Sequence, residues 1–190
     1  MPSTCYRLSA AVAAAFVLVS FFSAPAAAQV PSVAIYFDEA LTQDSQDCQG
    51  TSVIDTVYVT MLNVNDWISA IELSVDYTSV TAFTWLADLA TTPLKLGNSP
   101  TGIALTWQIP QSGFTPLVVF RSLITWNCDS CAGFEGQMLE VKPHPQTGHI
   151  RAVQYPNQTF IDLTGLSAAI CLPFPVEAAT WGKLKALYEP

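Results

Sequence analysis

Apolar and polar residues alternate with a period of two over much of this chain, most clearly between Trp67 and Tyr77. Ile71, Leu73, Val75 and Tyr77 fall on one side of that run, and Glu72, Ser74 and Asp76 on the other. Such alternation predicts a half-buried β-strand with one wet face. Just upstream, Val57, Val59 and Met61 alternate with Tyr58, Thr60 and Leu62, and Asn63-Val64-Asn65-Asp66 supplies turn chemistry. The two runs predict an antiparallel hairpin. Further strands are expected at Ser32–Asp38, Thr81–Leu86, Gly102–Gln108, Leu117–Trp126, Gln137–Lys142, His149–Tyr155 and Thr159–Leu163. Leu117-Val118-Val119-Phe120 is apolar on both faces, the pattern of a central covered strand. Prolines and glycines fall between these runs, at Thr92-Pro93, Gly97 to Pro100, Pro110 to Pro116 and Pro143 to Gly148. Eight or nine short strands without interleaved helical periods predict an all-β, antiparallel β-sandwich.

One helix is expected, at the carboxyl end. Thr180 is placed to cap Trp181 to Tyr188, with Trp181, Leu184 and Leu187 on one face as the docking stripe.

The other end has a different pattern. Arg7 precedes an almost wholly apolar run from Leu8 to Ala24, closed by Ala24-Pro25-Ala26-Ala27-Ala28 and the polar Gln29. A positive start, an apolar middle and small residues at the end form a secretory signal peptide. Pro25 and the alanines end the run as a membrane anchor would not. Residues 1–28 are therefore expected to be removed, leaving residues 29–190 as a single β-sandwich domain. No later segment is apolar for long enough to span a membrane. Losing 28 of the 190 residues leaves 162, long enough to bury about two-thirds of the chain's surface. The expected location is outside the cytoplasm: secreted, periplasmic or at the cell surface.

Charge narrows the class of partner. Once Arg7 leaves with the leader, six basic residues face fifteen acidic ones and the net charge is −9. No basic surplus remains to neutralise phosphates, which argues against nucleic acid.

Four cysteines remain after the leader: Cys48, Cys128, Cys131 and Cys171. In an exported chain an even number predicts disulfides, and four cysteines allow three pairings. A tight Cys128–Cys131 loop with Cys48–Cys171 tying early chain to late is favoured, although sequence does not decide between them. Cys128-x2-Cys131 followed by His144 and His149 mimics zinc-finger spacing. Pro143, Pro145 and Gly148 forbid the helix a finger needs, although a non-helical zinc site stays open. A redox-active Cys-x-x-Cys is opposed by Asp129, whose charge would raise the thiol pKa values. Asp38, Glu39, Asp44 and Asp47 form an acidic loop that could hold calcium, but it lacks the glycine and terminal glutamate of an EF-hand.

Catalytic machinery is sparse. There is no Gly-x-Ser-x-Gly elbow, and both histidines share one proline-rich stretch. No catalytic residue, metal or cofactor is assigned. The tryptophans raise a binding reading, because flat aromatic rings stack on sugars. Trp107 and Trp126 share strand faces with aliphatic neighbours and are expected inside. Trp67 and Trp85 are the possible surface aromatics.

The stretch Val57-Tyr58-Val59-Thr60, Asn63 and Ile68 to Tyr77 resembles the opening strands of cohesin-like domains. Those carry a short asparagine-containing turn followed by an I-x-x-x-x-[FL]-x-[VL]-x-Y strand, and Gly102–Trp107 and Pro116–Trp126 match later strands. The likeness spans under half of the expected mature chain. The chain also resembles small exported bacterial proteins of unknown function with a Tyr36-Phe37-Asp38 start, a Pro143-to-Ile150 loop and a Trp181-to-Tyr188 end. The cohesin resemblance implies a nine-stranded jelly roll. Cohesins bind dockerin modules and relatives of the same fold bind carbohydrate, so it also implies an unknown protein or glycan partner. The expected function is a non-catalytic exported module acting through protein or cell-surface contacts. A carbohydrate-binding module is the alternative, and a small hydrolase is a third.

Overall fold

The structure, a computed structural model, describes residues 29–90, 92 and 94–172. The expected leader, Trp181 and the helix Thr180–Tyr188 lie outside the described residues. So does part of the expected 29–190 domain.

Among the described residues thirteen strands follow in order: β1 (Ser32–Tyr36), β2 (Ser45–Gln46), β3 (Ile54–Leu62), β4 (Trp67–Asp76), β5 (Phe83–Leu89), β6 (Leu94–Asn98), β7 (Gly102–Ser112), β8 (Leu117–Trp126), β9 (Gln137–Lys142), β10 (Arg151–Tyr155), β11 (Phe160–Asp162), β12 (Thr164–Gly165) and β13 (Ser167–Ile170). A five-stranded sheet runs β12-β1-β3-β8-β5. The larger sheet runs β11-β10-β4-β9-β13-β2, with β7 also pairing β4 and β6 pairing β7. Among the described residues no helix is long and apolar enough to cross a membrane.

Strand β4 organises the larger sheet. Glu72 faces Arg151 of β10, and two residues on Ser74 faces Lys142 of β9. Strands β9 and β10 thus lie on successive stretches of β4, separated by the Pro143–Ile150 excursion. Ser74 Oγ–H lies within reach of the carbonyls of Lys142 (3.3 Å) and Pro143 (2.9 Å) where pairing breaks.

The alternation of β3 and β4 is as expected, but the hairpin between them is not. β3 pairs with β1 and β8 in one sheet, whereas β4 pairs with β7, β9 and β10 in the other. Asn63-to-Asp66 is an arch between layers. Asn63 and Asn65 both take left-handed backbone angles (φ 58° and 56°), and Val64 between them is buried. Backbone bonds Asn65 N–H to Gly113 O and Gly113 N–H to Asp66 O pin the arch to the β7–β8 connection. A Cβ on Gly113 would stand 2.8 Å from Asp66 O, so that approach requires glycine.

The core lies between the inward faces. Val57, Val59 and Met61 of β3 meet Ile71, Leu73 and Val75 of β4, and Phe120, Ile124 and Trp126 of β8 join them. Strand β8 sits inside its sheet, between β3 and β5. A register shift skips Val119, and both Val119 and Phe120 are buried there. Tyr77, Phe83 and Trp126 stack edge to face in series, with centroids 6.4 and 5.3 Å apart.

A polar bridge also joins the layers. Asp88 on β5 is buried, with Oδ1 2.6 Å from Ser99 Oγ and 2.8 Å from Ser122 Oγ, and Oδ2 accepting from Ser99 N–H at 2.6 Å. Trp85 Nε1–H donates to the same carboxylate, and the Tyr77 hydroxyl donates to Ser122 Oγ at 2.6 Å. Burial pushes the Tyr77 hydroxyl well above the usual phenol range.

At the end of β4, Lys142 Nζ lies 2.6 Å from Asp76 Oδ2, and Thr78 donates to Oδ1 through its hydroxyl and its N–H. The Lys142 bond first, and the Thr78 hydroxyl second, hold the Asp76 carboxyl down at about 2 from an ordinary 3.8. A depressed folded-state pKa contributes stability above the ordinary value, and that contribution is lost as pH falls from about 4 to about 2. Lys142→Ala is expected to move the Asp76 midpoint back toward the ordinary carboxylate value. A carboxyl-carbon NMR titration checks this; a midpoint unmoved by the substitution would show that Lys142 is not the cause.

The four cysteines are disulfide-bonded in a pairing other than the favoured one: Cys48–Cys128 and Cys131–Cys171. The reason lies in the loop that follows β8. Ser52 N–H donates to Trp126 O, and Thr51 donates to the Asp129 carboxylate through both N–H and hydroxyl. These bonds hold the 48–52 segment against the start of the loop, bringing Cys48 to Cys128. Cys131 lies past the Asp129 anchor, against Cys171, whose carbonyl accepts from Gly136 N–H at 3.0 Å.

Candidate functional site

Alternation on β4, β7 and β10 sends Ile71, Leu73, Ile103, Leu105 and Ala152 into the core. The residues between them must therefore form the outer face of the larger sheet. Strand register lines them up in two rows. One row is Leu94, Thr106, Ala70, Val153 and Phe160, running across β6, β7, β4, β10 and β11. The next is Leu96, Ala104, Glu72, Arg151 and Asp162.

Size varies across these rows in a regular way. Thr106, Ala70 and Val153 fill the middle of the first row and Ala104, Glu72 and Arg151 that of the second, while Leu94 and Leu96 stand at one edge and Phe160 and Asp162 at the other. Leu96 is 58% exposed and Phe160 62%. Small residues between tall rims make a trough, and a hollow of about 80 Å³ lies over Ala70, Ala104 and Val153. A second, of about 320 Å³, continues from Glu72 and Ala104 toward His144 and Thr147.

An ion pair lies on the trough floor. Arg151 Nε lies 2.6 Å from Glu72 Oε1, which also accepts from the Thr147 hydroxyl at 2.6 Å. The guanidinium sits 4.3 Å from the Phe160 ring centroid, a cation–π contact that holds the rim upright. The edge strand β6 turns into β7 at Asn98-to-Gly102. A Cβ on Gly102 (φ +108°) would stand 2.8 Å from His144 Nε2, so glycine lets the hairpin close against the Pro143–Ile150 loop.

Trp67 is 48% exposed and meets Phe114 edge-on, with an interplanar angle of 78°. It pairs in register with Tyr155, itself exposed, at the end of the same sheet. These rings form an aromatic corner rather than a flat row. Trp85 is half-buried against the core and committed to Asp88 through its indole N–H. Trp107 is partly buried and Trp126 fully so.

Other side chains singled out in the sequence are engaged locally. The Asp38 carboxylate accepts from Gln43 N–H and from the N–H and hydroxyl of Thr42, which hold it below the usual range, the Gln43 bond foremost. His144 caps its own turn, its carbonyl accepting from Thr147 and Gly148 N–H. Among the described residues, one group of three or more metal-ligating side chains converges: Cys48, Cys131 and Cys171.

The trough was missed in the sequence because β6 was. Leu94-Lys95-Leu96-Gly97-Asn98 alternates only briefly and ends in residues read as a turn. Without β6 the face has no rim. The available signal was the Leu94/Leu96 alternation beside a Gly-Asn turn.

No family model matches the chain, and no curated protein does. Solved structures are similar to it. The Clostridium acetobutylicum protein CaCohA2, in complex with CaDoc0917, has a TM-score of 0.50 at 13% identity, over 76% of this chain and 100% of that one. The sixth cohesin of Acetivibrio cellulolyticus scaffoldin B, in complex with a dockerin, gives 0.49 at 14% identity, over 76% and 100%. A cohesin module from a Clostridium perfringens family 33 glycoside hydrolase gives 0.47 at 10%, over 76% and 98%. The chain has a cohesin-like jelly-roll fold, as the strands around Asn63 implied.

Proposed function

We propose that this chain is an exported, non-catalytic module that holds a protein partner on the outer face of β6, β7, β4, β10 and β11. The trough, exposed among the described residues, carries this reading. Large exposed apolar side chains flank a floor of small ones, with a single ion pair to fix orientation. Exposed apolar area of this kind marks contact surfaces, and anchors buried centrally dominate their energetics. The similar CaCohA2 structure is itself half of a two-protein complex, which favours a protein occupant. Export is supported by the leader pattern and by two disulfides, which persist in oxidising compartments.

Ala70→Arg tests the face. Arginine at the trough floor fills the hollow with charge while pointing away from the core, so the fold should be retained. Affinity for the partner recovered from the medium of exporting cells is expected to fall at least about 100-fold, the scale of losing a central anchor. A partner that binds Ala70→Arg as tightly as the native chain would place the contact elsewhere.

The aromatic corner favours a second reading, a glycan ligand stacked on Trp67. A glycan array with the native chain and Trp67→Ala separates the two: signal lost with Trp67→Ala and kept with Ala70→Arg selects the sugar.

A further inference from the structure

The two disulfides touch. Cys48 Sγ lies 3.5 Å from Cys171 Sγ, although these atoms belong to different bonds. Cys48, Cys131 and Cys171 place their sulfurs within 4.8 Å of one another, and Cys128 Sγ is bonded to Cys48 Sγ. The four cysteine sulfurs therefore cluster, three of them mutually close and the fourth bonded to one of the three. Two independent cross-links have no need of this.

A tetrahedral zinc ion does. Zn–S bonds of about 2.3 Å set the sulfurs about 3.8 Å apart, close to the spacing seen between the two bonds. From this arrangement we infer a metal site: with its cysteines reduced, the chain binds one thiophilic divalent cation, zinc by preference, through Cys48, Cys128, Cys131 and Cys171. Cys128-x2-Cys131 supplies a pair at the short spacing that metal sites use, and Cys48 and Cys171 complete the set from elsewhere in the chain. His144 and His149 take no part.

The surroundings suit that role. Cys128 and Cys171 are buried, which excludes water from two ligands. Cys48 N–H points to Cys131 Sγ at 3.5 Å, a donor of the type that steadies a metal-bound thiolate. A hollow of about 500 Å³ lined by Asp47, Cys48, Gln49 and Cys131 gives the ion an entry path. Asp47 Oδ1, 3.5 Å from Cys131 Sγ, adds negative charge at that mouth. Binding displaces the thiol protons and changes no oxidation state. Metal and disulfides are then alternative occupants of one site: the thiol chain holds the ion, and the oxidised chain cannot.

The test is a cobalt titration of the full mature chain, reduced with a phosphine, with the oxidised chain alongside. The reduced chain is expected to take one cobalt per molecule, showing the thiolate-to-cobalt charge-transfer band and intense tetrahedral visible bands. Zinc should bleach both, and it should slow labelling of the four thiols at least tenfold. Cys131→Ser, at the half-buried mouth, should weaken the charge-transfer band while circular dichroism still reports the strands. If reduction unfolds the apo chain, zinc should restore that signal, because ligand binding and folding are then coupled. Absence of the charge-transfer band, a stoichiometry of one ion per two chains, or equal cobalt uptake by the oxidised chain would each overturn the site.

Discussion

Trp126→Ala is expected to lower the stability of the domain by about 3–5 kcal/mol, the cost of truncating a large buried aromatic. Trp126 is 0% exposed at the end of β8. Its indole packs edge-on against Phe83 at 5.3 Å, and through Phe83 reaches Tyr77 just past β4. Removing it leaves a void in this cross-layer contact. Its backbone is also employed: Trp126 N–H donates to Val53 O and its carbonyl accepts from Ser52 N–H. The side-chain loss therefore falls where the disulfide loop is anchored. Urea unfolding followed by circular dichroism reads the effect, and Trp126→Phe should recover part of it by keeping the ring contact. A loss under about 1 kcal/mol would mean that the site collapses around the void, contrary to the packing described.

Asp88→Ala is expected to cost about 3 kcal/mol or more. Hydrogen bonds to a charged group contribute about 1.5–3 kcal/mol each, and a buried donor left unpaired costs about 1–3. The substitution strands the Ser99 N–H, the indole of Trp85 and the Ser122 hydroxyl proton together, and leaves the Ser99 hydroxyl only the Tyr77 oxygen at 3.2 Å. Such losses are not additive, so the figure is well below their sum. Its consequences should extend to the trough. Ser99 lies in the β6–β7 turn, and Lys95 on β6 donates to the Asp88 carbonyl at 3.0 Å. The leucine rim is thereby tied to the opposite sheet through Asp88. Hydrogen exchange in Asp88→Ala should quicken first at residues 94–102. Exchange that quickens uniformly, or a stability loss under about 1 kcal/mol, would contradict a tying role.

Sequence and structure agree where burial on one face dictates the pattern. β4, β8 and β9 occur where their apolar pattern placed them because each buries aliphatics in the core. Strands β6 and β13 escaped notice for opposite reasons. β6 is an edge strand exposed along nearly its whole length, so no core selects its residues. β13, Ser-Ala-Ala-Ile, is built from small residues whose alternation carries little contrast. The turn residues Asn63 to Asp66 predict a hairpin rather than an arch because turn chemistry reports a reversal of direction, not the sheet each arm joins. Gly113, some fifty residues on in sequence, supplies the contacts that decide it. Cysteine pairing was illegible for a similar reason, being set by the Thr51–Asp129 bonds between distant loops. Trp67 and Trp85 show how far aromatic chemistry reads from neighbours alone. One stands at an exposed corner, while the other is drawn inward by a carboxylate three residues ahead.

The trough between Leu96 and Phe160 is the proposed contact surface. Hydroxyl-radical footprinting of the chain with and without its captured partner tests this, because leucine and phenylalanine side chains report their own exposure. Protection is predicted at Leu94, Leu96 and Phe160, with Trp67 and Phe114 unchanged. Protection confined to the Trp67 corner, or to the outer face of the β1-β3-β8-β5 sheet, would place the contact outside the trough.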